Sequence, residues 1–284
     1  CLECQARKQP HKFTKVPLKP LKVEGPFDRM AVDVMGPLPT SDLGNKYIVV
    51  FMDYFTKWAE AFALPDERAE TIARVFIDEI ICRHGAPRQL LSDRGTNFLS
   101  NLVKEVCQIL DTKRLLTSPY HPQTDGLVEK FNATLQSVLS MYVTSKQKDW
   151  DQFLQLALLA YRTSVQSSTH ETPFFLLYGR DAKLPYDVVI RAPKRKELGH
   201  VEYATKLADN LRNTYIDIEK RLKNAQQRQK LFYDSNAEPH SLTVGERVML
   251  WNKAVPRGRS PKLAHSWHGP FRIESVTKTN AQIK

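Results

Sequence analysis

The order in which apolar patterns change along residues 27–163 constrains the fold of this chain most strongly. Three β-like segments come first, at 27–34, 46–54 and 58–64, with glycine and proline turns between the first two. Helical spacing of apolar residues follows, and two short apolar strands interrupt it. The predicted helices are 71–84, 99–110, about 127–145 and 149–163, and the interrupting strands are 89–92 and 114–117. This order predicts a sheet with helices packed on its faces.

A meander of three strands followed by alternating helices and strands is the order of an RNase H-like α/β fold, with a mixed five-stranded sheet flanked by helices. Three acids stand at informative places in it. Asp33 lies at the end of the first strand, Asp93 directly follows 89–92, and Glu129 lies in the first turn of the helix after a turn-rich loop. Strand ends and a helix start can bring such residues together although they are far apart in sequence.

The three acids suit metal-dependent chemistry. Two hard divalent cations about 4 Å apart prefer oxygen ligands and can activate a nucleophile while stabilising a leaving oxygen. Carboxylates gathered in one place repel one another unless metal neutralises them. Asp33 would bridge both ions, with Asp93 and Glu129 each holding one. A single acid in such a context is more often a cap, a salt-bridge partner or a first-turn acid on the helix dipole, so context and spacing have to agree.

Charge is spread unevenly along the 284 residues, whose formal net charge is +11. Residues 1–30 carry a net charge of +4, residues 31–179 a net charge of −3, and residues 180–284 a net charge of +10. A slightly acidic centre with basic flanks favours an enzyme that holds cations centrally and binds nucleic acid at its edges, over simple solvation of the surface. No window of eighteen or more uncharged apolar residues predicts a membrane span.

The four cysteines do not form a disulfide framework in a chain of this length. Cys1 and Cys4 have the C-x-x-C spacing of half a zinc site, and no histidine pair at suitable spacing follows them. Cys82 and Cys107 lie in apolar helical patterns and are predicted to be buried thiols. The start at Cys1, without a secretory leader, leads us to expect a piece of a longer polyprotein.

These motifs resemble those of integrases from gypsy-type long-terminal-repeat retrotransposons and, more distantly, of retroviral integrases. Asp33, Asp93 and Glu129, with thirty-five residues between the last two, match the family's D…D-x35-E triad. The stretches LLSDRGTNF, SPYHPQTDGLVEKFNATL and AYRTSVQSSTHETPFFLLYGR are also similar to the family. Cys1 and Cys4 resemble the end of the family's His-His-Cys-Cys zinc domain, whose histidines would precede residue 1.

The resemblance implies a polynucleotidyl transferase with DNA endonuclease activity. It would use two Mg²⁺ (or Mn²⁺) ions to trim the ends of the element's cDNA and then insert them into host target DNA. Zn²⁺ would bind only if the preceding histidines are present. Dimers or tetramers on DNA, contact with chromatin, and action in the nucleus are further implications, with no membrane partner.

Further residues gain possible DNA contacts from their positions in this pattern, although each is about equally well explained as a surface polar residue. Tyr120, His121 and Gln123 lie on the loop before the catalytic helix, where integrases contact the DNA end. Lys130 and Asn132 continue along that helix, and a carboxamide and an ammonium there suit phosphate and base-edge contacts. Asn97 follows Asp93 closely and could orient substrate.

The predicted domains are a zinc-domain remnant with a basic linker at 1–26, the catalytic core at 27–185, a basic linker with a long helix at 186–240, and a small β domain at 241–284. Apolar residues of the predicted helix 201–233 recur at alternating steps of three and four residues, the seam of a coiled coil. Such a seam needs a partner, either in another subunit or on the last domain. Residues 241–284 are predicted to form an SH3-like barrel, complete or truncated, with HGPFRI resembling the family's Gly-Pro-Tyr/Phe module. A basic loop there could grip phosphates through Lys253, Arg257, Arg259 and Lys262.

Two classes of function follow. One is an active integrase, which the intact triad favours. The other is a catalytically silent or host-adopted DNA-binding or assembly protein with the same fold. A ribonuclease H-type nuclease shares the fold and metals but does not account for the basic C-terminal region and the cysteine pair.

Overall fold

The structure is a computed structural model that describes residues 23–93, 95, 98, 100–116, 126–184, 200–234, 242–251, 267–276 and 281–284. The chain divides into two compact units. One spans Leu21–Ala225 and the other contains Gln226–Lys284. Among the described helices, none is long and apolar enough to cross a membrane.

The first unit is built on a five-stranded mixed sheet in the order β3-β2-β1-β4-β5. β1, β2 and β3 form an antiparallel meander, and β4 and β5 continue the sheet parallel to β1. This confirms the predicted mixed five-stranded sheet. The strands are β1 Arg29–Met35, β2 Tyr47–Asp53, β3 Ala59–Leu64, β4 Gln89–Ser92 and β5 Lys113–Leu116.

Helices cover both faces of the sheet. The predicted helix 71–84 begins as α1 Ala69–Val75, widens into a π-helical segment at Phe76–Ile81 and ends as α2 Cys82–His84 before Gly85, whose φ is +85°. The π segment shifts the helix face, so Cys82 is exposed and the prediction that it is buried is wrong, whereas Cys107 is buried. The remaining helices are α3 Asn101–Ile109, α4 Gly126–Ser140, α5 Trp150–Arg162, α6 Pro173–Tyr178 and α7 His200–Asp234.

Alternation along the strands sends apolar side chains to two separate cores. On one face, Val50 of β2 and its neighbours pack against Val128 and Leu135 of α4 and Leu158 of α5. On the other face, a second cluster joins the sheet to α1, the π segment and α3. Both faces of the sheet are therefore covered, as expected where parallel strands lie inside a domain.

The long helix α7 packs on this first unit over its residues 207–225. Ile218 and Leu222 are buried in the same core as α4 and α5. The Tyr215 hydroxyl donates to the Leu176 carbonyl at 2.9 Å, and Arg221 Nη1 donates to the Thr169 carbonyl at 2.8 Å. The sequence predicted that the seam packs on another subunit or on the last domain. At Tyr215, Ile218 and Leu222 it packs instead in the core of the first unit.

The second unit contains a three-stranded antiparallel sheet in the order β6-β7-β8. Its strands are β6 Arg247–Trp251, β7 Trp267–Val276 and β8 Ala281–Ile283. The rings of Trp251 and Trp267 meet edge-on at 4.9 Å between centroids. The predicted SH3-like barrel is not confirmed, since the described residues form only this small sheet.

A buried carboxylate on β3 organises one edge of the first unit. Glu60 is 1% exposed and accepts hydrogen bonds from Trp58 Nε1 at 2.9 Å and from Arg162. His84 Nε2 lies 3.2 Å and Arg83 Nη2 3.6 Å from Oε1. Burial alone would raise the pKa of Glu60, but the hydrogen bonds from His84 and Trp58 and the charges of Arg162 and Arg83 outweigh it and hold that pKa below its usual value.

We expect Glu60→Gln to lower the free energy of unfolding at pH 7 by about 2–4 kcal/mol, because it leaves the buried Arg162 without its counter-charge. The stabilising effect of the depressed pKa is present above the unfolded value near 4.5 and is lost as pH falls through the folded pKa. Denaturant titrations should therefore show the gap between variant and wild type narrowing from pH 7 to pH 3. Glu79→Gln is the matched control: its exposed pair with Arg83 at 3.3 Å should cost under about 0.5 kcal/mol.

Gly179 tests the packing of α7. Its φ is +67°, and an added Cβ would lie 2.6 Å from Leu207 Cδ1 and 3.0 Å from Leu211 Cγ. Gly44 also has a positive φ, +85°, but an added Cβ there meets nothing within 4 Å. Measured by thermal unfolding, Gly44→Ala should lower the free energy of unfolding by about 1–2 kcal/mol, from backbone strain alone. Gly179→Ala should lower the free energy of unfolding by about 1–3 kcal/mol more, because its Cβ clashes with α7. Equal decreases for the two variants would show that α7 does not pack against Gly179.

Candidate active site

The three predicted catalytic acids lie at one end of the central sheet. Asp33 lies near the end of β1, opposite Val50 of β2. In the parallel pairing of β1 with β4, the last matched pair is Val32 with Ser92, so Asp33 and Asp93 come next on neighbouring strands. Glu129 lies in the first turn of α4, as predicted.

Asp33 accepts hydrogen bonds through both of its carboxylate oxygens. The side chain is half-buried. Its Oδ1 accepts from the backbone N–H of Val34 at 2.9 Å, and its Oδ2 accepts from Asn132 Nδ2 at 2.8 Å. Both bonds fix the orientation of the carboxylate. Asp93 and Glu129 are exposed, and Asp93 Oδ1 accepts from the Gly95 N–H at 2.9 Å.

Electrostatics link the three acids. Burial raises the pKa of Asp33 above its usual value, and the negative charges of Asp93 and Glu129 raise it further. The hydrogen bonds from Val34 and Asn132 oppose this rise without cancelling it. The site is therefore a place where negative charge accumulates and where a cation would be favoured.

Helix α4 is held against β1 by polar contacts as well as by its apolar face. Asn132 reaches Asp33, and one turn later Gln136 Nε2 lies 2.8 Å from Met35 Sδ. Val128 is fully buried in the core beside them. Because residues four apart share a helix face, the two amides fix the position of Glu129, one turn before Asn132, relative to β1.

The donor chemistry of this site fits a hard divalent cation. It offers the carboxylate oxygens of Asp33, Asp93 and Glu129, the type of ligand that Mg²⁺ and Mn²⁺ prefer. Asn132 Oδ1 is a further oxygen: it is buried and accepts no hydrogen bond from any residue described. Within those same residues, however, no three His, Cys, Asp or Glu side chains lie close enough together to hold a metal ion. The described side chains therefore have the ligand chemistry of a magnesium site, but they do not lie close enough together to form one.

The other predicted site residues divide into two groups. Lys130 is exposed on α4, next to Glu129. Asn132 is 9% exposed, and its amide nitrogen is engaged by Asp33, a role that its polar character alone does not reveal. The rest lie outside the described residues: Asn97, Tyr120, His121, Gln123, Cys1, Cys4, Lys253, Arg257, Arg259 and Lys262. Sequence reasoning missed Gln136, which the helical spacing from Asn132 could have indicated.

Comparison with known proteins agrees with this geometry. Residues 23–122 match the integrase core domain family. The chain is 30% identical over 258 residues to the retrovirus-related Pol polyprotein from transposon 412 of Drosophila melanogaster, covering 90% of this chain and 20% of that protein. The chain belongs to the integrase family of long-terminal-repeat elements.

Two further likenesses extend over the whole of this integrase chain. It is 26% identical to the gypsy retrotransposon integrase-like protein 1 of Bos taurus, over 100% of this chain and 58% of that protein. It also resembles a chain of the simian T-cell lymphotropic virus intasome solved in complex with a PP2A regulatory subunit. That likeness has a TM-score of 0.55 at 16% identity, covers 100% of this chain and 84% of the other, and shows the fold alone. The chain spans between a fifth and three-fifths of the two relatives' lengths.

The contact of Asn132 with Asp33 gives a test of the site. In Asn132→Ala the carboxylate of Asp33 loses the hydrogen bond from Asn132 and is freer to rotate, so DNA strand transfer, if this site catalyses it, should fall by about tenfold or more. Gln136→Leu is the matched control, since it removes the neighbouring amide from the same helix face and leaves Asp33 untouched. DNA-joining assays and melting curves on both variants provide the test. Equal losses of joining would mean that both amides act by packing α4 against the sheet, and not by orienting Asp33.

Proposed function

We propose that this chain is an active integrase, a polynucleotidyl transferase that first trims the ends of its element's cDNA and then joins them to host target DNA. The observation that carries the proposal is the strand register that brings Asp33 next to Asp93, with Glu129 in the first turn of the helix whose Asn132 contacts Asp33. An accumulation of unneutralised carboxylates is unfavourable for the fold by itself, and it is useful where divalent cations and phosphate have to be bound.

The two steps of the proposed reaction share one chemistry. In trimming, a water oxygen forms a bond to a DNA phosphorus while the bond to a leaving oxygen breaks, and the cut strand keeps a free 3′-hydroxyl. In joining, that 3′-hydroxyl attacks a phosphorus of the target strand and displaces a 3′-oxygen, which takes up the proton. The number of phosphodiester bonds is unchanged in the second step, so no external energy source is needed.

The residues of this chain would orient that chemistry. Two bound Mg²⁺ (or Mn²⁺) ions would supply activation of the attacking oxygen and stabilisation of the leaving oxygen. Asp33, whose carboxylate accepts hydrogen bonds from Val34 and Asn132, would be one ligand of these ions. Asp93 and Glu129 would provide further oxygens. Asn132 Oδ1 is a buried acceptor with no donor in the described structure, and an enclosed water would satisfy it.

The partners follow from the same function and remain proposals. They are the element's cDNA ends, host target DNA and other copies of this chain in a dimer or tetramer, with contact to chromatin and action in the nucleus. Trimming before joining is an endonuclease activity. Zinc binding by Cys1 and Cys4 would need two further ligands to complete a tetrahedral site.

Glu129→Gln tests the proposal most directly. The change keeps the size of the side chain and its place in the first turn but removes one anionic ligand, so strand transfer should fall by at least about a hundredfold. DNA affinity and the melting temperature should change little, because an exposed first-turn acid contributes only about 0.3–1 kcal/mol through the helix dipole.

The matched control is Glu70→Gln, since Glu70 is also an exposed acid in the first turn of a helix, α1. It should join DNA like the wild type. Retained joining in Glu129→Gln would show that Glu129 is not a catalytic ligand. A wild-type protein that binds DNA but joins nothing with Mg²⁺ or Mn²⁺ would instead support the silent DNA-binding or assembly protein.

A further inference from the structure

The chain is anchored in the first unit on both sides of Asp93. Ser92, the last residue of β4, is 4% exposed, and its hydroxyl donates to the Asp93 carbonyl at 3.1 Å. Phe98 is 3% exposed and lies in the apolar cluster beneath α1, the π segment and α3. Ser100 then caps α3, because its hydroxyl accepts from the Val103 N–H at 3.3 Å. Asp93 therefore stands on a segment that leaves one buried residue, Ser92, and returns to another, Phe98.

Arg114 of β5 makes a further contact with this segment. Its Nη2 donates to the main-chain carbonyl of Phe98. In the parallel pairing of β4 with β5, Arg114 lies beside Leu90, whose side chain belongs to the same apolar cluster as Phe98. Paired residues of neighbouring strands share one face of the sheet, so the half-buried Arg114 side chain lies on the face that α3 covers. Its guanidinium thus joins the strand next to β4 to the backbone that follows Asp93.

Cys107 of α3 gives the guanidinium of Arg114 the same location. Burial raises the pKa of the Cys107 thiol, and the positive charge of Arg114 opposes this rise. The charge must therefore lie close to α3, on the face of the sheet where Phe98 packs.

The acceptor of this hydrogen bond is neutral. Charges that are taken out of water are usually paired with an opposite charge. Across the part of the chain that the structure describes, however, the Phe98 carbonyl is the one hydrogen-bond acceptor of Arg114, and no carboxylate lies within 4 Å of its guanidinium. A hydrogen bond from a charged donor is stronger than one between neutral groups. The contact therefore fixes the position of a backbone segment and does not balance a charge.

We propose that Arg114 is a positioning residue for Asp93. By holding the Phe98 carbonyl, it limits how far the segment after β4, and Asp93 with it, moves away from Asp33. It does not fix Asp93 as a strand would, because Asp93 lies beyond the paired residues of β4. The inference rests on the proposed function, since the reaction is what requires Asp93 beside Asp33. It gives a part in the site to β5, the edge strand, which carries none of the three acids.

The activity test uses Arg114→Met, which keeps an unbranched stem and removes every N–H donor. The kcat of strand transfer should fall by about tenfold or more, because a displaced ligand acts on the chemical step. The DNA concentration that gives half the maximal rate should stay within about twofold of wild type. Arg114→Lys keeps the charge and a donor, and should restore kcat to within about threefold of wild type. An unchanged kcat with a raised half-maximal DNA concentration would overturn the proposal, because Arg114 would then act in DNA binding.

The matched control is Arg221→Met. Arg221 Nη1 also donates to a main-chain carbonyl, that of Thr169 at 2.8 Å, and lies in the first unit away from the three acids. Each variant loses a hydrogen bond from a charged donor, so both melting temperatures should fall by about 3–10 °C. Assayed below both melting temperatures, Arg221→Met should join DNA within about twofold of wild type. A loss of joining equal to that of Arg114→Met would overturn the proposal, because lowered stability would then explain both.

A second measurement needs neither metal nor DNA. Hydrogen exchange of the segment 93–100 in the free protein should be about fivefold faster or more in Arg114→Met, and should match wild type in Arg221→Met. Faster exchange confined to this segment is the expected result. Unchanged exchange there in Arg114→Met, or an equal increase throughout the first unit, would overturn the anchoring role of Arg114.

The two proposals fail in different ways. If wild-type protein joins no DNA with Mg²⁺ or Mn²⁺, the proposed integrase function fails, and hydrogen exchange still shows whether Arg114 holds the segment after Asp93. If wild-type protein joins DNA and Arg114→Met joins it equally well, the integrase function stands and the positioning role of Arg114 is wrong.

Discussion

The parallel pairing of β1 with β4 is the constraint on which the candidate site depends. It sets Asp33 and Asp93 side by side at the carboxyl ends of two neighbouring strands, because the register matches Val32 with Ser92. Burial raises the pKa of Asp33, and the negative charge of Asp93 raises it further. The fold opposes this with hydrogen bonds from Val34 and Asn132 to Asp33. The same Asn132 attaches α4 to β1, so the helix that contributes Glu129 is positioned by the residue that stabilises Asp33.

Much of the catalytic core could be predicted from the sequence because the signals are local. Predicted strand and helix limits in the first unit differ from the observed ones by at most two residues in most elements, and Glu129 lies in the first turn of α4 as expected. Alternation and helical spacing depend only on neighbouring residues. The placement of Asp93 after β4 follows from the length of one apolar run.

The parts that failed depend on contacts between distant residues. The seam of α7 showed that this helix needs a partner, but nothing in its spacing indicates that the partner is the chain's own core. Glu60 sits in an alternating strand like any surface acid, and its partners Arg162, Arg83 and His84 come from two other helices. Asn132 has the composition of a surface residue and is buried against Asp33. These three cases concern tertiary pairing, whereas the exposure of Cys82 follows from a local change of secondary structure, the π-helical segment.

The position of β1 at the middle of the sheet also determines which parts of the site are able to move. β1 is hydrogen-bonded to a strand on each side, to β2 throughout and to β4 up to Ser92, so its backbone cannot shift without breaking two ladders at once. Asp93, by contrast, follows the end of β4 and is not part of the sheet. Glu129 lies on α4, which contacts the sheet through side chains such as Asn132. Water and a DNA hydroxyl differ in bulk as attacking groups. If the proposed trimming and joining both take place at this site, we expect the adjustment between the two attacking groups to fall on Asp93 and Glu129 and not on Asp33.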